Sequence, residues 1–195
     1  MSYRSRFTLF LLAVTLCIGC LIWAPGTASA QTRHHIWFGF GYSNLPSDEL
    51  KDASIGVDFS NAGNGVLAYR YSLNPQFDLT LDSRGTVSTD KVQGVDLTLM
   101  GSFFGPGVRW HPGSNLYVQA NFFAVSEHAE AEQNGLKISG SDSGTGFGLS
   151  GGLDIPMTPL LSLPIELNYN YGKPADDISG FGGTIGLAFN FGQMK

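Results

Sequence analysis

The chain has 195 residues, with eleven Lys and Arg against sixteen Asp and Glu, and two cysteines. The acidic balance argues against nucleic acid as the main partner. Both cysteines, Cys17 and Cys20, lie in the first thirty residues, so the rest of the chain has neither disulfide nor thiolate chemistry.

Arg4 and Arg6 form a short positive start, residues 7–22 are almost purely apolar, and Ala28-Ser29-Ala30 places small residues at −3 and −1 before Gln31. That is the layout of a secretory signal peptide over residues 1–30, cleaved after Ala30. The competing readings are a membrane anchor, for which the run is short and broken by Pro25-Gly26, and a lipoprotein site at Gly19-Cys20. Cys17 stands where such a site normally has Leu. Residues 31–195 then form one domain of net charge −7, since Arg4 and Arg6 leave with the peptide. No second apolar run is long enough for a transmembrane helix, so a membrane-spanning mature chain has to be a barrel.

From residue 34 onward the dominant signal has period two, the mark of strands with one apolar face. In the first segment, about 34–44, Ile36, Phe38, Phe40 and Tyr42 oppose Gly39 and Gly41. In the second, 63–72, Leu67, Tyr69 and Tyr71 alternate with Ala68 and Arg70. The third starts at Gln76, with Phe77, Leu79 and Leu81 against Asp78, Thr80 and Asp82. The fourth starts near Val92, with Val95, Leu97, Leu99 and Phe103 against Asp96, Thr98 and Ser102. Its parity breaks at Phe103-Phe104-Gly105-Pro106-Gly107, where a β-bulge is expected to bring Val108 and Trp110 to the apolar face and Arg109 to the polar one. The fifth, 116–125, has Leu116, Val118, Ala120 and Phe122 against Gln119 and Asn121. The sixth, 145–155, sets Phe147, Leu149, Leu153 and Ile155 against glycines, Ser150 and Asp154. The seventh begins at Leu163-Pro164, with Ile165, Leu167, Tyr169 and Tyr171 against Glu166, Asn168 and Asn170. The eighth has Phe181, Ile185, Leu187, Phe189 and Phe191 against Gly182, Thr184, Gly186, Ala188 and Asn190.

Tight turns are expected at Asn74-Pro75, Pro112-Gly113 and 156–159, and longer links elsewhere, the longest being 43–62 and 126–144. In an up-and-down barrel all three short turns fall at one end. That asymmetry matches transmembrane barrels, with short periplasmic turns, long extracellular loops and both termini on the periplasmic side. A lipocalin-like soluble barrel would turn the apolar face inward instead. Against it, Tyr69, Tyr71, Trp110, Phe189 and Phe191 gather near the short-turn end, where an interfacial girdle lies. The other face is small and polar and carries Arg70, Asp78, Asp82, Asp96, Arg109, Asp154 and Glu166. In the packed interior of eight strands those charges are expected to pair. The fold class is therefore all-β, an eight-stranded antiparallel up-and-down transmembrane β-barrel.

The whole mature chain resembles the small outer-membrane β-barrel proteins of the OmpA transmembrane-domain and OmpX type. Gly-Phe-Gly-Tyr at 39–42, Phe-Phe-Gly-Pro-Gly-Val-Arg-Trp at 103–110 and Gly-Gly-Thr-Ile-Gly-Leu-Ala-Phe-Asn-Phe at 182–191 carry the resemblance. It implies the outer membrane of a Gram-negative bacterium and monomeric barrels among outer-membrane lipids and lipopolysaccharide. It further implies recognition of the last strand by the barrel-assembly machinery. The family's last strand usually ends on an aromatic residue, whereas here Phe191 is followed by Gly-Gln-Met-Lys.

Catalytic chemistry has little support in the residues. Outer-membrane lipid A deacylases share a strand-borne His-x-Ser pair, and none occurs here. Ser126-Glu127-His128 is the only local cluster of suitable type, and it lies in the expected third long loop among Glu130 and Glu132. The acidic stretches Asp48, Glu49, Asp52, Asp58 and Glu127, Glu130, Glu132, Asp142 lack calcium-loop spacing, and residues 144–152 lack the context of a phosphate loop. No cofactor or metal is expected. The reading is a structural or adhesion-type barrel whose loops meet a host-surface or envelope ligand. A lipid-modifying enzyme and a narrow channel are the alternatives.

Overall fold

A computed structural model describes residues 32–44, 51–52, 57–58, 61–92, 94–174 and 178–193. The expected signal peptide, and with it the choice between cleavage and lipoprotein, lies outside the described residues.

Among the described residues ten strands follow in chain order: β1 (Thr32–Asn44), β2 (Lys51–Asp52), β3 (Val57–Asp58), β4 (Asn61–Asn74), β5 (Phe77–Val92), β6 (Val95–Trp110), β7 (Leu116–Gln133), β8 (Leu136–Thr158), β9 (Leu161–Lys173) and β10 (Ile178–Gln193). Eight of them close into a barrel in the order β1-β10-β9-β8-β7-β6-β5-β4, while β2 and β3 pair only with each other. Every barrel pair is antiparallel, and the β1–β10 seam, from Thr32↔Gln193 to Asn44↔Phe181, completes the ring. Closure leaves no lateral edge within the barrel, which is what a bilayer demands of a sheet.

At the end that holds Thr32 and Gln193 the chain turns after β4, β6 and β8, while β5–β6 pair up to Val92↔Val95 and β7–β8 up to Gln133↔Leu136 at the opposite end, so the expected confinement of tight turns to one end does not hold. Asn74 Oδ1 accepts the backbone N–H of Gln76 at 2.8 Å and of Phe77 at 3.0 Å, an Asx-type turn in which Pro75 presets the backbone. Register irregularities fall between Ser72 and Asn74 and between Pro156 and Thr158, beside two of these turns.

Three further sequence expectations are corrected. The bulge at 105–107 does not form, because the β5–β6 register runs unbroken from Phe77↔Trp110 to Val92↔Val95. Instead Phe103 and Leu99 point inward, at 2% and 7% exposure, while Phe104 faces out. The upper part of β6 therefore has the opposite parity to that expected. This also moves Asp96 out of the lumen, to the outward face beyond the barrel rim, where it pairs with Lys91 at 2.9 Å and both side chains are exposed.

The third correction concerns residues 126–144, which form no long loop. β7 and β8 continue as a hairpin to Gln133↔Leu136, closed by Asn134 and Gly135 with φ of 51° and 81°. Both residues have positive φ, as a type I′ turn requires, and Asn-Gly is its preferred sequence. β5 and β6 likewise extend to Val92↔Val95. The strands thus project past the barrel as a four-stranded sheet, β5-β6-β7-β8.

Candidate functional site: the lumen and the projecting sheet

In the barrel the side chains are radially inverted relative to a soluble core. Outward positions carry exposed apolar residues on every strand, among them Phe38, Phe40, Leu67, Leu79, Val108, Phe122, Leu149, Ile165 and Ile185. Inward positions are buried and largely polar, including Arg70, Asp78, Asp82, Arg84, Arg109, Gln119, Glu166, Asn168 and Thr184.

The inward charges form one connected cluster. Arg84 on β5 donates to Asp82 two residues back on the same face, at 2.8 Å, and across the lumen to Glu166 Oε1 on β9, at 2.6 Å. The hydroxyl of Tyr117 donates to Glu166 Oε2 at 3.0 Å. Arg109 donates to Gln119 at 2.8 Å, lies 3.3 Å from Asp154 and 3.8 Å from Glu166, and sets its guanidinium 3.5 Å from the centre of the Tyr117 ring. Arg70 bonds Asp154 at 2.6 Å. Trp37 lies under both Arg70 and Arg109, at 5.8 and 5.9 Å. Gln119 also donates to Asp82 at 2.8 Å. Toward the short-turn end, Asp78 meets His111 at 2.8 Å. Around this centre sit two apolar groups, Trp37 with Val66, Ala68 and Ala188, and Phe103 with Phe123, Val125 and Ile178. A small polar cavity remains between Asn64, Thr86, Asn168, Asn170 and Thr184.

Of the seven charges assigned to the lumen, the structure brings Arg70, Asp78, Asp82, Arg109, Asp154 and Glu166 inside and leaves Asp96 outside. Arg84, the residue that ties Asp82 to Glu166, is absent from the sequence reading. The parity of Asp78, Thr80 and Asp82 continues through Arg84, Thr86 and Ser88, but Ser83 and Gly85 break the apolar face, so the alternation fades there. Trp37, Tyr117 and Phe123 were hidden differently: each is an apolar residue between apolar neighbours, and only strict parity puts it inside.

Tyr69, Tyr71, Trp110, Phe189 and Phe191 lie on outward positions at the short-turn end. Tyr69 bonds His34 at 2.7 Å, and Phe191 stacks on the same imidazole with ring centres 5.4 Å apart. At the other end, Ser126 and His128 share the outward face of the projecting sheet. His128 faces Glu130 at 3.8 Å, and among the described residues no hydrogen bond joins it to Ser126. Glu130 also holds Lys137 at 2.6 Å, a hydrogen bond that raises the lysine above its ordinary pKa.

No protein-family model matches the chain, and no curated protein does. Solved structures do. Ail, the attachment invasion locus protein of Yersinia pestis, superposes with a TM-score of 0.61 at 20% identity, covering 83% of this chain and 99% of Ail. The same protein in complex with the heparin analogue sucrose octasulfate gives 0.60 at 19% identity, with 83% and 99% covered. Neisserial surface protein A gives 0.58 at 15% identity, covering 81% of this chain and 97% of its own. At such identities the likeness is one of fold, and it extends over nearly the full length of each neighbour. The chain has the eight-stranded antiparallel barrel fold of Ail and Neisserial surface protein A.

Proposed function

We propose that this chain is an integral outer-membrane protein whose barrel is a filled anchor and whose projecting sheet and loops carry recognition, without a catalytic role. The observation that carries the reading is the radial inversion. A closed ring with apolar residues outward and paired charges inward suits lipid outside and a packed interior. A soluble barrel with that outer surface would expose apolar area far beyond what monomers in water tolerate. The inner charges favour an anchor over a porin, because eight strands leave room for side chains and these side chains hold one another. The polar outward face of the sheet, with Ser102, Ser126 and Ser143 in one row across β6, β7 and β8, begins above Phe104 and Phe122. Its hydroxyls suit the sugars of lipopolysaccharide.

The test is fractionation with protease shaving of intact cells. The chain should stay with outer membranes through urea extraction, migrate differently before and after heating, and be cut between residues 126 and 143 from outside. Release by osmotic shock would sink the reading. For the enzymatic alternative, Ser126→Ala with His128→Ala should leave the lipid A mass spectrum unchanged.

A further inference from the structure

At the end that holds Thr32 and Gln193, the apolar belt closes on a polar patch. His34 is the outward residue of β1 that precedes Ile36. By register it lies directly beside Tyr71 of β4 on one side and Phe191 of β10 on the other. Phe191 stacks on the imidazole at 5.4 Å and 10°, and the Tyr71 ring stands 5.2 Å away at 54°. Tyr69, one outward position farther into the belt on β4, bonds His34 Nδ1 at 2.7 Å. Three strands thus hold one half-buried imidazole in a fixed orientation.

The bond to Tyr69 also sets the tautomer. A phenol is a stronger acid than a neutral imidazole N–H, so the Tyr69 hydroxyl donates to Nδ1 and the ring proton sits on Nε2. Among the described residues, neither Nε2 nor the Tyr71 hydroxyl has a hydrogen-bond partner. Two donors on adjacent strands therefore stand unsatisfied at the edge of the belt. Around the rest of that end β5 to β9 present Phe77, Trp110, Leu116, Ile155 and Leu163 outward, and of these only Trp110 adds a donor.

We propose that His34 and Tyr71 bind the phosphate of one glycerophospholipid in the periplasmic leaflet, His34 Nε2–H and the Tyr71 hydroxyl donating to its free oxygens. The proposal rests on the membrane reading above. It goes beyond an aromatic girdle, whose rings sit at headgroup depth without choosing a headgroup. A phosphodiester carries a negative charge and only acceptors, so it complements two donors, and a bond to an ionised acceptor is stronger than one to water. The aromatic rings around the imidazole lower the local polarity and strengthen that bond. Because the stack fixes the imidazole beforehand, little ordering is lost on binding. Ile36, Leu81 and Phe189, one outward position farther into the belt, are exposed and apolar and take the acyl chains.

The full chain is inserted into vesicles of equal parts phosphatidylglycerol, phosphatidylethanolamine and diglucosyldiacylglycerol, with insertion confirmed by heat-modifiable migration. It is then extracted gently and weighed intact by native mass spectrometry. The two phospholipids share the phosphodiester and differ beyond it, while the glycolipid has the same acyl chains and no phosphate. One retained phospholipid of either kind is expected, and no glycolipid. His34→Phe keeps the stack and Tyr71→Phe keeps the ring. Each should lower the phospholipid adduct roughly tenfold, the effect of losing one hydrogen bond to a charged group. Tyr42→Phe, at the opposite end of β1, should leave it unchanged. No adduct, or glycolipid retained as well as phospholipid, overturns the proposal and spares the membrane reading. So does retention of phosphatidylglycerol alone, which would assign binding to net charge. Adducts that survive both His34→Phe and Tyr71→Phe, or that Tyr42→Phe removes, have the same consequence. Failure to insert overturns both.

Discussion

Glu166 shows how a single residue governs the interior. Its carboxylate takes hydrogen bonds from Arg84 and Tyr117, and Arg109 stands 3.8 Å away. Removing one partner of a buried pair leaves the other charge uncompensated, at a cost of about 3–5 kcal/mol. Glu166→Ala should therefore lower the urea midpoint of the vesicle-inserted barrel substantially, while Asp96→Ala should change stability by no more than about 0.5 kcal/mol, because that pair is solvated. Equal effects would contradict the placement of Asp96 outside the lumen. The same comparison shows what is legible one residue at a time. Asp82 and Glu166 are recognisable as interior because their strands alternate cleanly around them. Asp96 is misread because β6 carries apolar residues on both faces, Leu97 and Leu99 inward and Met100 and Phe104 outward, so hydrophobicity alone gives its parity no anchor.

At the scale of the element, the β7–β8 hairpin decides the shape of the exposed end. Its sequence is polar and rich in Glu, Ser and Gly, a composition that reads as loop. Its cross-strand pairing and its Asn134-Gly135 turn make it strand. The turn was visible in the sequence as an Asn-Gly dipeptide with Ala129, Ala131, Leu136 and Ile138 around it. Gly135→Ala forces a side chain into the left-handed region at φ 81° and should cost about 1–2 kcal/mol of local stability. Proteolysis between residues 126 and 143 should accelerate, with the barrel's own heat-modifiability unchanged. A barrel that unfolds along with the hairpin would show that the two are one cooperative unit. β5 is a second case: Arg84, Thr86 and Ser88 lie inside only because the strand keeps its parity well past Leu79, through outward positions as plain as Ser83 and Gly85.

For the whole molecule, the lumen determines what the barrel can do in the membrane role proposed for it. The cluster from Arg70 to Glu166 spans the interior, and Phe103, Phe123, Val125 and Ile178 pack above it. Planar-bilayer recordings should show no stepwise conductance of porin size, since an eight-stranded interior is filled by side chains. Regular open-channel steps from the wild-type chain would favour the narrow-channel alternative. The exposed end is acidic on the projecting sheet, unlike a surface built for a polyanion. That makes the projecting sheet the part of the molecule on which recognition is best tested.

By itself the sequence determined the number of barrel strands, their antiparallel order, the turns near Asn74, Pro112 and Pro159 and most of the inward charges, but not the equally tight turns at the opposite end. These follow from local rules: period-two alternation, turn chemistry and the mutual exclusion of lipid and charge. Only the tertiary structure decided the parity of β6, the partner of each lumenal charge, and the continuation of β5 through β8 into a projecting sheet. The physical reason is the same in each case. Where both faces of a strand are apolar, or both are polar, alternation carries no information, and the register with neighbouring strands settles which way a side chain points.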